Sequence, residues 1–139
     1  FSQRPTVRKP CADAGKEEEE HLAWSAERIW GLNSRTRILN PRRYAGAYAC
    51  GLIASRCGEA DSLGFVVETE KQVAAHLTSH LEKLPATDLK SRAIVEQMRQ
   101  DEIAHGAAAK ALGASELPAP VKAAMGLMAK VMTTTAYYV

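Results

Sequence analysis

The sequence predicts an all-α fold, and three observations lead to that prediction. Apolar residues recur at spacings of three and four along the long segments, as they do on one face of a helix (Leu63, Val66, Val67 and Val73 are one such series). Alanine is abundant while aromatic residues make up only 6% of the chain, which favours close-packed helices over a β-sandwich. No segment alternates with the period of a strand. With 139 residues, 46% of them hydrophobic, we expect a single domain over residues 1–139.

Composition argues against several classes of protein. The net charge of +2 is mild, and no basic stripe with interleaved aromatic residues suggests nucleic-acid binding. Three cysteines without a Cys-x-x-Cys pair do not form a disulfide framework and indicate a reducing compartment. Cys50 and Cys57 share a helix face, either as packed small residues or as reactive thiols. The longest apolar run, residues 44–54, is too short to cross a bilayer, and the first residues do not have the pattern expected of a signal peptide.

Start and stop signals divide the chain into segments. Residues 1–12 are largely polar and basic with two prolines, and they are predicted to be a loop or tail. A first helix is expected from Asp13, as its N-cap, to about Trp30. Asn40-Pro41 then begins a helix to about residue 56 that is made almost wholly of small and apolar residues.

Three further helices complete the prediction, over residues 61–84, 87–112 and 118–132. Thr87 is expected to be the N-cap of the second of these. Its short Pro85-Ala86 connection to the preceding helix predicts that the two long helices pack antiparallel. The last helix carries a methionine-rich stripe with lysines beside it, which suits either a core edge or a membrane surface.

Two short motifs carry the chemistry. Glu18-x-x-His21 and Glu102-x-x-His105 both lie in predicted helices, where residues three apart project from one face. Between them, Glu70 falls on the apolar stripe of its helix, where a carboxylate is costly to bury without a cation. Two Glu-x-x-His helices combined with lone-glutamate helices form the ligand set of a carboxylate-bridged di-iron four-helix bundle.

Each motif also has a simpler explanation. A single Glu-x-x-His spacing arises often by chance, and the acidic residues 17–20 resemble a solvated face near a helix N-terminus. That explanation leaves the spacing of His21 from Glu18 unaccounted for. A lone histidine on a helix is usually structural or exposed, and His80 is expected to be of that kind. The repetition of the motif, with Glu70 between the copies, favours a metal site.

Five segments together resemble a known family. They are KEEEEHLAW (16–24), LNPRRYAGAYACGLIA (39–54), SLGFVVETEKQVAAHL (62–77), MRQDEIAH (98–105) and PAPVKAAMGLMAKVMT (118–133). They resemble the demethoxyubiquinone hydroxylases, which are ferritin-like di-iron monooxygenases of ubiquinone biosynthesis. The resemblance extends from about Asp13 over nearly all of the remaining chain.

The resemblance implies a ferritin-like helical bundle that holds two iron ions. Matched segment by segment, the implied metal ligands are Glu18, His21, Glu70, Glu102 and His105. His76 matches a histidine placed near the site in relatives, and Leu77 stands where some relatives have a tyrosine, so any role of that tyrosine is lost. Asp101 is expected to hydrogen-bond a ligand histidine, unless it is a solvated helix-face aspartate.

One part of the family pattern is absent from the sequence. The family's first helix carries a glutamate in an Asp-His-x-Gly-Glu type of motif, and nothing similar precedes Glu17. About five helices are therefore expected, without the first bundle helix. The chain would be a fragment, a truncated product, or completed by a neighbouring subunit. An open bundle exposes apolar surface, so we expect a homo-oligomer, contacts with other ubiquinone-biosynthesis proteins, or reduced stability.

The implied activity is O₂-dependent hydroxylation of the ring of a demethoxyubiquinol-type intermediate, a 3-demethoxyubiquinol 3-hydroxylase reaction. Its polyprenylated substrate resides in the bilayer, so the resemblance implies a peripheral protein on the cytoplasmic face of the bacterial inner membrane. Residues 44–53 and the C-terminal helix would contact the membrane, although ordinary helix packing also explains them. Two other functions stay open: a ferritin-like iron-binding or ferroxidase protein, and a non-catalytic helical module that binds a membrane or a partner.

Overall fold

A computed structural model of the chain describes residues 5–34, 56 and 58–138, with side chains to residue 134. These residues form four helices: α1 (Pro5–Gly31), α2 (Glu59–Lys83), α3 (Leu89–Ala111) and α4 (Ala119–Tyr138). No strand occurs within the described ranges, and the all-α prediction is confirmed. The helix predicted over residues 40–56 lies almost entirely outside these ranges.

Helix α1 begins at Pro5, so the prediction of a loop or tail over residues 1–12 is wrong for residues 5–12. Pro10 lies inside the helix and gives up one backbone hydrogen bond. Burial of Val7 against Leu63 and Ala109 offsets that cost, because it joins three helices in one apolar cluster.

The N-cap of α3 is Asp88 and not the predicted Thr87. The Asp88 carboxylate accepts the backbone N–H of Ser91 at 3.0 Å, and the Arg28 guanidinium of α1 donates to Asp88 at 2.8 Å and to the Ser91 hydroxyl at 2.7 Å. The hydrogen bonds from Ser91, followed by Arg28, lower the pKa of Asp88 to about 2. A carboxylate both caps the helix and pairs with Arg28, whereas a threonine would only cap it.

Helix α3 packs antiparallel to both α1 and α2. Contacts from α1 to α3 run in opposite directions along the two helices: His21 meets Asp101, and Arg28 meets Ser91. The α2–α3 interface is the most extensive between any two of the described helices. Arg92 meets Leu81 while Gly106 lies beside Glu70, so the two helices are antiparallel, which confirms the prediction from the short connection. At that connection Arg92 donates to the carbonyl oxygens of Leu81 and Leu84.

The segment between α3 and α4 lies directly on α2. The N–H of Ser115 donates to the Ala60 carbonyl at 2.9 Å, and the carbonyl of Ser115 approaches Gly64 so closely that any side chain at position 64 would collide with it. Helix α4 then runs alongside α2, with Gly126 beside Gln72, and ends at Tyr138, beyond the predicted Met132. Of the helices that the structure describes, none is long and apolar enough to cross a bilayer.

Candidate metal centre

The five predicted ligand side chains converge where α1, α2 and α3 meet. They form two overlapping groups, in each of which one ligand atom per residue lies within 4.8 Å of the others. The first group is Glu18, His21 and Glu102, and the second is Glu70, Glu102 and His105. Glu102 belongs to both groups, so a carboxylate of α3 stands between two potential cation positions.

The centre is buried on one side and open on the other. His21 is 2% exposed and Glu102 is 4% exposed, whereas Glu70 is partly buried and Glu18 is exposed. The indole of Trp24 lies against the His21 ring, with centroids 5.5 Å apart. The centre therefore has a protein-covered floor and an accessible edge at Glu18, which suits a site that exchanges small molecules with its surroundings.

The inner nitrogens of the two histidines face the carboxylates. His21 Nδ1 lies 3.8 Å from Oε1 of both Glu18 and Glu102, and His105 Nδ1 lies 3.9 Å from Oε1 of Glu18. These distances are too long for hydrogen bonds, and neither Nδ1 has a hydrogen-bond partner among the described residues. Two atoms that each bind one cation at about 2 Å lie within about 4 Å of each other. The arrangement therefore fits a metal ion.

The outer nitrogens are held by carboxylates. His21 Nε2–H donates to Asp101 Oδ2 at 2.8 Å, and Gln97 donates to the other oxygen of Asp101 at 2.8 Å. His105 Nε2–H donates to Glu17 Oε2 at 2.7 Å. Because an ionised carboxylate only accepts, each Nε2 carries the proton and leaves Nδ1 with a free lone pair. Metal-binding histidines typically have this arrangement.

Asp101 contacts one histidine of the cluster, and the sequence gives no direct indication that Glu17 contacts the other. In the sequence, Glu17 is one of the acidic residues 17–20, which resemble a solvated face near a helix N-terminus. A signal was present, because Glu17 precedes Glu18 just as Asp101 precedes Glu102. That parallel has meaning only once α1 and α3 are known to lie antiparallel.

Two of the carboxyl groups oppose each other's ionisation. Glu70 and Glu102 are hydrogen-bonded, and burial raises the pKa of both groups. Burial, the hydrogen bond that the Glu102 carboxyl donates to Glu70 and the nearby charges of Glu70 and Glu18 raise the pKa of Glu102 to about 9. Without a cation the pair keeps a shared proton at neutral pH. A metal ion would take the place of that proton, and a set of carboxylates with two imidazoles suits a divalent first-row metal.

His76 is not brought into this cluster. Its side chain is exposed and lies against His80, with ring centroids 4.4 Å apart, and it lines a groove between α2 and α4 with Glu68 and Lys122. Partial burial, His80 and Lys83 lower the pKa of His76. Six residues after Glu70, His76 points about 120° away round the helix. Its predicted place beside the metal ligands stays a prediction, while His80 is exposed as expected.

Comparison with known proteins identifies relatives of the chain. The model of the family described as ubiquinone biosynthesis protein COQ7 matches residues 1–136. The 3-demethoxyubiquinol 3-hydroxylase of Herbaspirillum seropedicae is 61% identical over 137 residues, which is 99% of this chain and 66% of that protein. The enzymes of the same name from Cupriavidus metallidurans and Herminiimonas arsenicoxydans are 57% and 52% identical over 136 and 139 residues, or 98% and 100% of this chain.

The chain spans 66% of the length of these three relatives, and no solved structure matches it. The match to the family covers the segments that carry the Glu-x-x-His motifs, Glu70 and the methionine-rich helix. The resemblance found in the sequence is thereby confirmed, and the chain belongs to the COQ7 family of ubiquinone biosynthesis proteins.

Proposed function

We propose that this chain provides the di-iron centre of an O₂-dependent hydroxylase that acts on the ring of a demethoxyubiquinol-type quinol. The observation that carries the proposal is the convergence of three glutamates and two histidines, with both Nδ1 atoms facing the carboxylates. Relatives named 3-demethoxyubiquinol 3-hydroxylase support the reaction and the substrate class. The carboxylate-rich ligand set supports iron.

In this proposal the side chains have distinct roles. Glu18, Glu70 and Glu102 would hold two iron ions together with His21 and His105, and Glu102 would contact both ions. Bound iron supplies O₂ activation, which no amino-acid side chain provides. The chain itself orients the imidazoles from their outer nitrogens and covers the inner side of the centre with α1 and α3. The open edge at Glu18 is where a quinol ring would approach.

Isotope incorporation tests this proposal. The purified protein is loaded anaerobically with Fe(II), given a demethoxyubiquinol analogue and exposed to ¹⁸O₂. We expect two irons per chain and a product that carries one ¹⁸O atom on its ring, measured by mass spectrometry. Fe(III) formation and O₂ consumption without a labelled product would indicate a ferroxidase. Far fewer than two irons per chain would indicate a non-catalytic helical module.

We also propose that α4 places the protein on the cytoplasmic face of the bacterial inner membrane. Its outward face is apolar where a soluble helix would be polar: Leu127 is 66% exposed and Met128 is 48% exposed, and the exposed Lys130 lies beside them. Apolar side chains flanked by lysines bind the interface of a bilayer with anionic lipids. A polyprenylated substrate would reach the centre from such a surface.

Replacing Leu127 and Met128 together with glutamate is expected to weaken binding to anionic phospholipid vesicles at least about tenfold, since two apolar groups no longer insert and two negative charges are added. Co-sedimentation measures the binding. Ala86→Glu, in the exposed turn between α2 and α3, adds the same kind of charge elsewhere and should bind as the unaltered protein does. Equal binding by the double variant would show that this face of α4 does not contact the membrane.

A further inference from the structure

We propose that Glu17 is a positioning residue that holds His105 in the tautomer and orientation in which its Nδ1 faces the metal centre. The proposal deepens the function above and rests on it for the identity of the metal. It assigns a role to a residue in an acidic run that otherwise has the features of a solvated helix face. The contact that carries it is the 2.7 Å hydrogen bond from His105 Nε2–H to Glu17 Oε2.

The contact is one half of a reciprocal pattern. In each Glu-x-x-His motif, the residue just before the ligand glutamate holds the histidine of the other motif. Asp101 of α3 holds His21 of α1 at 2.8 Å, and Glu17 of α1 holds His105 of α3 at 2.7 Å. Antiparallel packing of α1 and α3 creates this relation, because it places the start of each motif opposite the end of the other. Two equivalent contacts at equivalent positions indicate one shared role.

The chemistry explains why a carboxylate is needed there. A neutral imidazole exchanges its proton between two nitrogens, and only the tautomer with the proton on Nε2 offers a lone pair at Nδ1. The carboxylate of Glu17 accepts from Nε2 and so favours that tautomer, and it also makes Nδ1 a stronger ligand. His105 Nδ1 is buried without a hydrogen-bond partner in the described part of the chain, as a nitrogen reserved for a cation should be.

The two halves of the pattern differ in strength. The side chain of Asp101 is 21% exposed and is fixed by Gln97, whereas the side chain of Glu17 is 50% exposed. Water competes for the more exposed contact, so the His105 ring is held less firmly than the His21 ring. Because Glu17 contacts His105 while Asp101 holds His21, we expect loss of Glu17 to affect the group of Glu70, Glu102 and His105 and to leave the group of Glu18, His21 and Glu102 nearly unchanged.

The tautomer can be read directly in the metal-free protein. In Glu17→Ala, ¹⁵N NMR at pH 8 should show His105 changing from the Nε2–H form to a mixture of tautomers, with the His21 signals unmoved. Glu17→Gln should restore much of the Nε2–H form, since an amide oxygen also accepts. Glu19→Ala removes an exposed charge from the same acidic run and should leave both histidines unchanged. If Glu17 only supported the helix, alanine would preserve α1, since it is the better helix former, and the His105 tautomer would stay unchanged.

Metal affinity gives an independent measurement. In an anaerobic Co²⁺ titration, Glu17→Ala should weaken the second equivalent by about 10- to 100-fold and leave the first nearly unchanged. Unchanged His105 tautomers in Glu17→Ala, or equal Co²⁺ affinities in Glu17→Ala and Glu19→Ala, would overturn the proposal. Failure of the proposed function would look different, as it would remove iron binding or hydroxylation from the unaltered protein while the metal-free tautomer result still stood.

Discussion

Replacing Glu102 with alanine is expected to abolish the proposed binding of two metal ions, and with it the proposed hydroxylation. Glu102 belongs to both ligand groups and is 4% exposed, so no solvent-exposed carboxylate can easily take its place. Changes in residues that only support metal ligands cost 10- to 100-fold in affinity, so loss of a ligand shared by both ions should cost at least about 100-fold for each. Anaerobic Fe(II) titration and metal analysis of the purified variant measure the loss.

Two further variants sharpen this test. Glu96→Ala is the control on the same helix. The Glu96 carboxylate pairs with Arg99 at 2.6 Å, outside the centre, so this variant should retain full metal content. Glu70→Ala takes a ligand from one group alone, so it should retain roughly one ion per chain. Retention of both ions by Glu102→Ala would show that the carboxylate does not lie between two bound cations. Equal losses in Glu70→Ala and Glu102→Ala would show that the two groups do not act as separate positions.

Part of the candidate cluster could be predicted from the sequence because that part is local to single helices. A spacing of three residues places Glu18 beside His21 on any helix, and the position of Glu70 on an apolar stripe is also a property of one helix. The contact of Glu17 with His105 depends instead on how far α1 is shifted along α3. Nothing in the sequence of either helix determines that shift, so the sequence alone does not distinguish Glu17 from the acidic residues beside it.

The errors in helix boundaries have a similar origin. Pro10 argues locally against a helix, but burial of Val7 on other helices extends α1 back to Pro5. Thr87 and Asp88 are both good N-caps, and Arg28 from another helix favours Asp88. In both cases a contact between helices decided between alternatives that the local sequence left nearly equal. The helix over residues 59–83 is predictable from the sequence because apolar residues recur along it at helical spacing.

Glu70→Gln is expected to stabilise the metal-free protein at pH 8 while weakening its metal binding. Burial and the neighbouring carboxylates raise the pKa of Glu102 from 4.5 to about 9 in the folded protein. A raised pKa of an acid means that the folded state binds a proton that the unfolded state releases. The contribution of protonated Glu102 to the free energy of unfolding is therefore fully present below about pH 4.5 and is lost as the pH rises towards 9. Replacing Glu70 removes the part of this pH-dependent loss of stability that comes from its charge, while the part that comes from burial of Glu102 remains.

Thermal unfolding from pH 5 to pH 9 measures this effect. The metal-free unaltered protein should lose stability across the range, and Glu70→Gln should lose less, with a gain of about 1–2 kcal/mol at pH 8 after allowance for partial solvent screening. Glu82→Gln, an exposed position on α2, should follow the unaltered protein. Added Fe(II) should reverse the order, because a metal that binds the folded state stabilises the unaltered protein more. A metal-free Glu70→Gln protein that melts below the unaltered protein at pH 8 would contradict the charge opposition between Glu70 and Glu102.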